Sequence, residues 1–214
     1  MPHNEEKTKR IAHILEQVKQ EDTDTINLVI PLLFSKKAAS YMLIQEDLLH
    51  AKEAIETLIK LKEGGEKTKI LKISLWRSAI SSYGKCFNSN HGGYSVLTIE
   101  CFAGHSELKS IHDNLILFRN SYVSHRDDTE HENVVVIMRI PKEKGADTSK
   151  IECRLKSLIM AIPPFESLKG FLHVVNYLIP ITTQKIEKHT QRAYDGFLDF
   201  LKDLSPEELK YFSV

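Results

Sequence analysis

The feature of this sequence that most constrains its fold is a run of apolar residues at alternating spacings of three and four. Within residues 35–62 these positions form one unbroken seam, made of Tyr41, Ile44, Leu48, Ala51, Ile55 and Leu58. Spacings of three and four place all of them on one side of an α-helix. A helix with such a seam is stable only when the seam is buried against other helices. The seam therefore predicts one helix of a helical bundle.

Three further segments carry the same helical stripe. We predict a second helix over residues 68–87, a third over residues 106–122 and a last helical region that Pro163-Pro164 opens. Pro180 is expected to kink or break that last region, because a proline removes a helical hydrogen bond and clashes with the preceding turn. Four long amphipathic helices with short connections are typical of a four-helix bundle. The predicted fold class is therefore mainly α.

Two segments between the third and fourth helices follow a different pattern. Residues 133–140 are rich in Val and Ile, and Ile151, Cys153 and Leu155 alternate with polar residues. A period of two is typical of strands, and a turn-prone stretch separates the two segments. We therefore expect a β-hairpin, inserted into the helical protein over residues 132–162.

The amino-terminal part differs from the rest. Residues 1–34 are expected to form an arm that carries a short, charged accessory helix. At 214 residues the chain is long enough for one domain with a full core. We predict a single domain over residues 1–214.

Composition and charge exclude several classes of protein. Lys and Arg total 29, as do Asp and Glu, so the net charge is zero and a general nucleic-acid-coating protein is not predicted. Three widely spaced cysteines without a Cys-x-x-Cys pair indicate a reducing compartment. The charged amino terminus argues against a signal peptide, and the apolar runs are far shorter than the roughly 20 residues of a membrane span. We expect a cytoplasmic protein without a membrane partner.

The third predicted helix ends in a dense polar cluster that includes Arg119, Asn120, Tyr122, His125 and Arg126. On one continuous helix Arg119 and His125 would point to different faces, because six residues correspond to roughly 600° of rotation. They converge only if the helix ends near residues 123–124, or if a second copy of the chain contributes. The Val, Ser and Asp residues that follow are poor helix formers, which favours the ending. An arginine, an amide and a histidine at a helix end make a compact site for a phosphate and a proton transfer.

Other catalytic sites have signatures that this sequence lacks. It contains ten His but no His-Glu-x-x-His, and the mixed His and Asp loop at residues 125–132 is interpreted as solvated, so no metal site is predicted. Neither Gly-x-Ser-x-Gly nor a Gly-rich phosphate loop is present, which argues against a serine hydrolase and a nucleotide triphosphatase. No cofactor is expected. Phosphoryl chemistry without a metal remains.

RNA suits such a site because its 2′-OH is a nucleophile beside each phosphate. His125 is the side chain suited to proton transfer at neutral pH, and Arg119 offers a planar fork that matches phosphate oxygens. Asn120 can orient either group, and Tyr122 can stack on a base or donate a hydrogen bond. The alternative is structural: Arg119 pairs with a carboxylate of Asp127-Asp128 and caps the helix, with His125 as a turn residue.

These residues also carry a family resemblance. Arg119-Asn120, four further residues and His125 resemble the Arg-x(4–6)-His motif of HEPN domains (higher eukaryotes and prokaryotes nucleotide-binding), including the polar residue after the arginine. The resemblance covers the helices over about residues 35–203, and its specific part is this motif.

The resemblance implies a fold, an activity and partners. HEPN domains are helical bundles, and many are metal-independent ribonucleases of toxin–antitoxin and abortive-infection systems. For this chain it implies that Arg119 and His125 are the catalytic pair, with Asn120 as the supporting polar residue. The expected substrate is RNA and not DNA, the expected products carry a 2′,3′-cyclic phosphate, and the expected partners are a second copy of the chain and an antitoxin or regulatory protein. Some HEPN domains only bind nucleotides or proteins, so a non-catalytic module is the alternative.

Four residues are candidates for substrate binding: Tyr122, His112, Arg77 and Arg126. Arg77 lies in the most basic segment, residues 60–85, whose outer face either follows a phosphate backbone or is simply solvated. His112 recurs at seven-residue spacing with His105 and Arg119, which places the three on one side of the third predicted helix. That side is expected to be either the wall of a cleft or a wet surface with two incidental histidines.

Overall fold

The computed structural model describes Glu16 and residues 29–61, 68–88, 94–120, 133–139, 152–158 and 163–203. This part of the protein is mainly helical, as predicted. It contains four α-helices: α1 (Leu32–Lys60), α2 (Lys69–Lys85), α3 (Ser106–Phe118) and α4 (Phe165–Lys202). A short 3-10 helix, Ile99–Phe102, precedes α3. None of the described helices combines the length and the apolar character that crossing a bilayer requires.

The amino-terminal arm is described only in part. Apart from Glu16, the accessory helix predicted there lies outside the described residues. The α1 helix begins at Leu32, so the last residues assigned to the arm belong to α1.

The chain divides into two compact units, residues 1–40 with 184–214 and residues 41–183. Both boundaries fall inside helices, one in α1 and the other in α4.

The unit of residues 41–183 has the larger core. The predicted seam of α1 is confirmed, because all six of its residues are buried. The rings of Trp76 and Tyr83 in α2 pack edge-on against Phe171 of α4, with centroid distances of 5.8 and 5.1 Å. Burial of one such side chain stabilises the fold by about 1.5–3 kcal/mol. The α2 helix is thus fixed against α4 by aromatic packing.

Pro180 does not end the last helix, so of the two expected outcomes, a kink or a break, the break is wrong. α4 runs from Phe165 to Lys202 with Pro180 inside it. An internal proline costs roughly 3 kcal/mol because it removes a backbone donor. On either side, Leu178 and Thr182 are fully buried, and the Thr182 hydroxyl donates to the Ile179 carbonyl at 2.7 Å. Tertiary packing on both sides of the proline therefore holds the helix together.

Two strands lie between α3 and α4. β1 (Asn133–Arg139) and β2 (Glu152–Leu158) pair antiparallel, with a register from Asn133 opposite Leu158 to Arg139 opposite Glu152. Residues 140–151, which hold the turn of the predicted hairpin, lie outside the described residues. The insertion as a whole therefore stays a prediction.

The unit of residues 1–40 with 184–214 contains a small aromatic cluster. Phe34 of α1 packs against Phe197 and Phe200 of α4, with ring centroids 5.9 and 5.6 Å apart. Ala193 and Phe197 are buried there. Part of the helical stripe predicted for this end of α4 therefore faces a core, whereas Phe200 is 37% exposed.

Candidate functional site

The end of α3 is fixed by apolar contacts on the side that faces α2. Leu115 is buried, and the ring of Phe118 packs against Trp76 with a centroid distance of 5.5 Å. The α-helix ends at Phe118, and Arg119 and Asn120 continue it in a π-helical turn. The helix was predicted to end a few residues later, within the stretch 121–132 that lies outside the described residues. The anchored Phe118 sets the starting point of the Arg119 side chain.

The aliphatic part of Arg119 lies directly on the backbone of α2 at Gly84. A Cβ atom at Gly84 would lie 3.0 Å from Cγ of Arg119 and 3.2 Å from its Cδ. Such distances are shorter than ordinary van der Waals contact, so a larger residue at this position would displace the arginine. Glycine is thus the residue that permits this close approach.

The guanidinium of Arg119 is held by two neutral amides. Its Nη1 donates to Oδ1 of Asn120 at 2.9 Å. With the Asn88 amide oriented so that its oxygen faces the arginine, as hydrogen bonding requires, Nη1 and Nη2 donate to Oδ1 of Asn88 at 3.0 and 2.6 Å. Among the described residues no carboxylate lies within ion-pair distance of this group. The positive charge is therefore oriented by these contacts without being neutralised by them.

His112 lies in the core, which corrects the prediction that it lines a cleft or a wet surface. It is 6% exposed, and its ring packs against Phe87 and Phe102 with centroid distances of 4.3 and 4.9 Å. Its Nδ1 lies 2.7 Å from the hydroxyl oxygen of Tyr83. A histidine is tolerated in a core when a partner satisfies its ring nitrogen. A direct contact between His112 and a substrate does not fit this burial.

Burial also changes the acid–base chemistry of this pair. It lowers the pKa of His112 from the ordinary value of 6.5, an effect that nearby Asp113 opposes and Lys109 reinforces. Burial likewise raises the pKa of Tyr83 above its ordinary value. His112 is therefore neutral at physiological pH, and in the tautomer protonated on Nε2 the Tyr83 hydroxyl donates to Nδ1.

The side of α3 with the seven-residue repeat is a packing surface at His112 and Arg119, whereas His105 at its start is exposed. His105 contacts the ring of Tyr177 at a centroid distance of 4.8 Å, and Arg119 lies over Gly84. The predicted common side is consistent with these contacts, but its predicted environment is wrong for His112. The sequence repeat reports which residues share a side and not what covers that side.

The other predicted site residues have different outcomes. Arg77 is exposed on α2, seven residues before Gly84 and therefore on nearly the same side of that helix. His125, Tyr122 and Arg126 lie outside the described residues, as does Asp127-Asp128, the alternative partner of Arg119.

Sequence reasoning missed two residues of this site, Gly84 and Asn88. A glycine inside a helix costs about 1 kcal/mol relative to alanine, so Gly84 was a detectable anomaly. Asn88 follows the end of α2, where an asparagine is common in turns, so its position in the sequence does not indicate this contact. Only the position of Arg119 gives either residue a role.

Three other kinds of site have little support in the described residues: a metal site, a cysteine nucleophile and a serine–histidine pair. No three His, Cys, Asp or Glu side chains cluster there in a way that would hold a metal ion. Burial raises the pKa of the Cys86 thiol to about 12, which makes it a poor nucleophile. His50 Nε2 lies 2.7 Å from Ser78 Oγ on an exposed surface, without a carboxylate in the described part of the chain to orient the imidazole.

What the arrangement around Arg119 does best is bind an oxyanion. A guanidinium forms strong, paired hydrogen bonds with phosphate or carboxylate oxygens, and its charge is not cancelled by the amides that hold it. Comparisons with family models, curated proteins and solved structures find no match to this chain.

Proposed function

We propose that the protein is a metal-independent endoribonuclease with a HEPN-like four-helix bundle and an inserted β-hairpin. Arg119 and His125 form its catalytic pair, and Asn120 supports Arg119. The observation that supports the proposal is the guanidinium of Arg119, which two neutral amides hold at the end of α3 with no carboxylate of the described residues at ion-pair distance. The motif that ends in His125 supplies the proton-transfer group.

The reaction follows from the chemistry of RNA. The 2′-oxygen attacks the adjacent phosphorus, the bond from phosphorus to the 5′-oxygen breaks, and the proton of the 2′-OH is balanced by a proton delivered to the 5′-oxygen. His125 transfers protons, and Arg119 stabilises the negative charge that develops on the phosphoryl oxygens. The products carry a 2′,3′-cyclic phosphate and a 5′-OH. DNA lacks the nucleophile and is not cut.

The working unit in this proposal is a homodimer. One arginine and one histidine cannot together grip a phosphate, activate the 2′-OH and protonate the leaving oxygen. A two-fold contact beside Arg119 places two copies of the motif around one groove. Tyr122, Arg77 and Arg126 contact the RNA in this proposal. The setting is a cytoplasmic toxin–antitoxin or phage-defence system, with an antitoxin or regulatory protein as a further partner.

The experiment that tests this function is RNA cleavage by the purified chain and its variants. Arg119→Ala and His125→Ala are each expected to lower the cleavage rate about 10²-fold or more, which is the usual loss for electrostatic and acid–base groups. Arg192→Ala, which removes an exposed arginine of α4, is the matched control and should cleave normally. A chelator should leave the rate unchanged. Full activity in both site variants would overturn the assignment.

The second candidate is a non-catalytic HEPN-like module that binds nucleotides or a protein. The two amides that hold Arg119, Asn120 and Asn88, favour this second candidate as well, because binding an anion in a fixed orientation needs no proton-transfer group. Expression in a bacterial host separates the two candidates. Growth arrest that Arg119→Ala and His125→Ala both abolish supports the nuclease, and binding of RNA without any cleavage supports the module.

A further inference from the structure

We infer that Gly84 and Asn88 are positioning residues for Arg119: Gly84 provides the space for its side chain, and Asn88 fixes its guanidinium without neutralising it. The anion that this arrangement receives is a phosphate of RNA. The choice of RNA rests on the proposed function, whereas the positioning of Arg119 rests on the contacts themselves.

The space above Gly84 is filled by the side chain of Arg119. A Cβ atom there would meet Cγ, Nε and Cδ of Arg119 at 3.0, 3.1 and 3.2 Å. All three atoms belong to the same side chain, so a methyl group would push mainly against Arg119, by a few tenths of an ångström. The backbone of Gly84 has no positive φ, so alanine fits it without strain. The helix would favour alanine by about 1 kcal/mol, and space for Arg119 is the reason for glycine that this structure offers.

Asn88 is a neutral partner of the Arg119 guanidinium. Its Oδ1 accepts from both terminal nitrogens of Arg119, a geometry that an aspartate of the same size would also provide. An aspartate, however, would form an ion pair and compete with the phosphate for the guanidinium. An amide oxygen orients the fork and leaves its net charge for the ligand.

The backbone at the end of α2 holds this acceptor in place. The N–H groups of Phe87 and Asn88 donate to the carbonyls of Gly84 and Lys85 at 3.3 and 3.4 Å, which extends the turn beyond the helix. The N–H of Leu97 donates to the Cys86 carbonyl at 2.8 Å and so ties Leu97 to the end of α2. Gly84 and Asn88, four residues apart, therefore lie on one side and both face Arg119.

The test compares Gly84→Ala, Asn88→Asp and Asn88→Ala with the unaltered full-length chain. Gly196→Ala is the matched control, because Gly196 is also helical and, among the described residues, its Cβ would meet only Phe34, at 3.5 Å. Three properties are measured: cleavage of RNA, affinity for a 2′-O-methyl RNA that cannot be cleaved, and the temperature of thermal unfolding.

We expect Gly84→Ala to unfold at the same temperature or higher, yet to lose about ten-fold in cleavage and in affinity for the 2′-O-methyl RNA, because small displacements of a reacting group are costly. Asn88→Asp should lose more affinity than Asn88→Ala. A merely structural Asn88 would give the opposite order, since aspartate is the closer replacement in size. Gly196→Ala should bind and cleave normally.

The possible failures are distinguishable. If the unaltered chain cleaves RNA and Gly84→Ala and Asn88→Asp match it, the positioning role is overturned and the proposed function stands. If the unaltered chain binds the 2′-O-methyl RNA with the expected order of variants but cleaves nothing, the positioning role stands and the nuclease proposal fails. A chain that neither binds nor cleaves RNA overturns both proposals. The positioning role is also overturned if Asn88→Ala binds the 2′-O-methyl RNA more weakly than Asn88→Asp does.

Discussion

His112 and Arg119 lie on the same side of α3, two turns apart, and yet their environments are opposite. The ring of His112 meets Tyr83 and two phenylalanines, whereas Arg119 meets the bare backbone of Gly84. The difference arises in α2, where an aromatic residue is followed directly by a glycine. The α2 residue that faces a polar side chain of α3 therefore determines its environment. Tyr83 helps to bury His112, whereas Gly84 lets Arg119 extend over the α2 backbone.

At the same scale, the free energy of unfolding is expected to fall as the pH drops below about 6.5. Because burial lowers the pKa of His112, the unfolded chain binds more protons than the folded chain once the pH passes below the unfolded value of 6.5. The stability associated with this group is complete above that pH and is lost as the pH falls towards the lower, folded pKa. Urea unfolding at a series of pH values between about 5 and 8 measures the slope.

His112→Gln should reduce this slope, while His173→Gln, which changes an exposed histidine, should leave it unaltered. Part of the slope should remain in His112→Gln, because burial and the nearby cations Arg192 and Lys37 also lower the pKa of His189. An identical pH dependence with and without His112 would contradict the assignment.

At the scale of elements, periodicity and packing act together in α1. Leu48 and Leu49 are adjacent in sequence, but Leu48 is fully buried and Leu49 is 42% exposed. The difference follows from the seam, which includes the first residue and not the second. Apolar character alone therefore does not predict the contribution of a residue to stability.

Leu48→Ala is expected to lower the free energy of unfolding by about 2–5 kcal/mol, because it removes buried apolar atoms and leaves a cavity. Leu49→Ala is the matched control and should change the free energy of unfolding by about 0.5 kcal/mol or less. Denaturant titration of both variants measures the two values. Equal losses would mean that the α1 seam does not face the core.

At the scale of the whole molecule, the zero net charge confines any attraction for RNA to local sites. Arg77 and Gly84 belong to α2, and Asn88, which accepts from Arg119, follows the end of that helix. In the described part of the chain, the proposed RNA contacts therefore centre on the exposed surface of one helix and its end.

The proposed composite site makes a prediction about assembly. Sedimentation at concentrations of roughly 1–10 μM should show a dimer, because a two-fold contact repeats the same patch on both subunits and completes the site. Mixing Arg119→Ala chains with His125→Ala chains is the informative control, since mixed dimers retain one copy of each group. A strictly monomeric protein that cleaves RNA at full rate would rule the composite site out.

Some features of this protein could be predicted from the sequence alone, because their causes are local. The spacing of Tyr41 to Leu58 specifies a buried helix side, since helical geometry maps spacing directly onto direction. The motif around Arg119 was visible for the same reason: its residues are neighbours in the chain.

Other features were decided only by the tertiary structure, because their causes are distant in sequence. Pro180 stays inside a helix because packing of the residues around it outweighs a local penalty. His112 is buried because two residues more than twenty positions away pack against it. The Tyr83 hydroxyl is a hydrogen-bond partner for its Nδ1, and the ring of Phe87 covers its imidazole. Gly84 and Asn88 became part of the candidate site only when the end of α3 was placed against the end of α2. Local spacing determines which side of a helix a residue occupies, and the packing partner determines what that side meets.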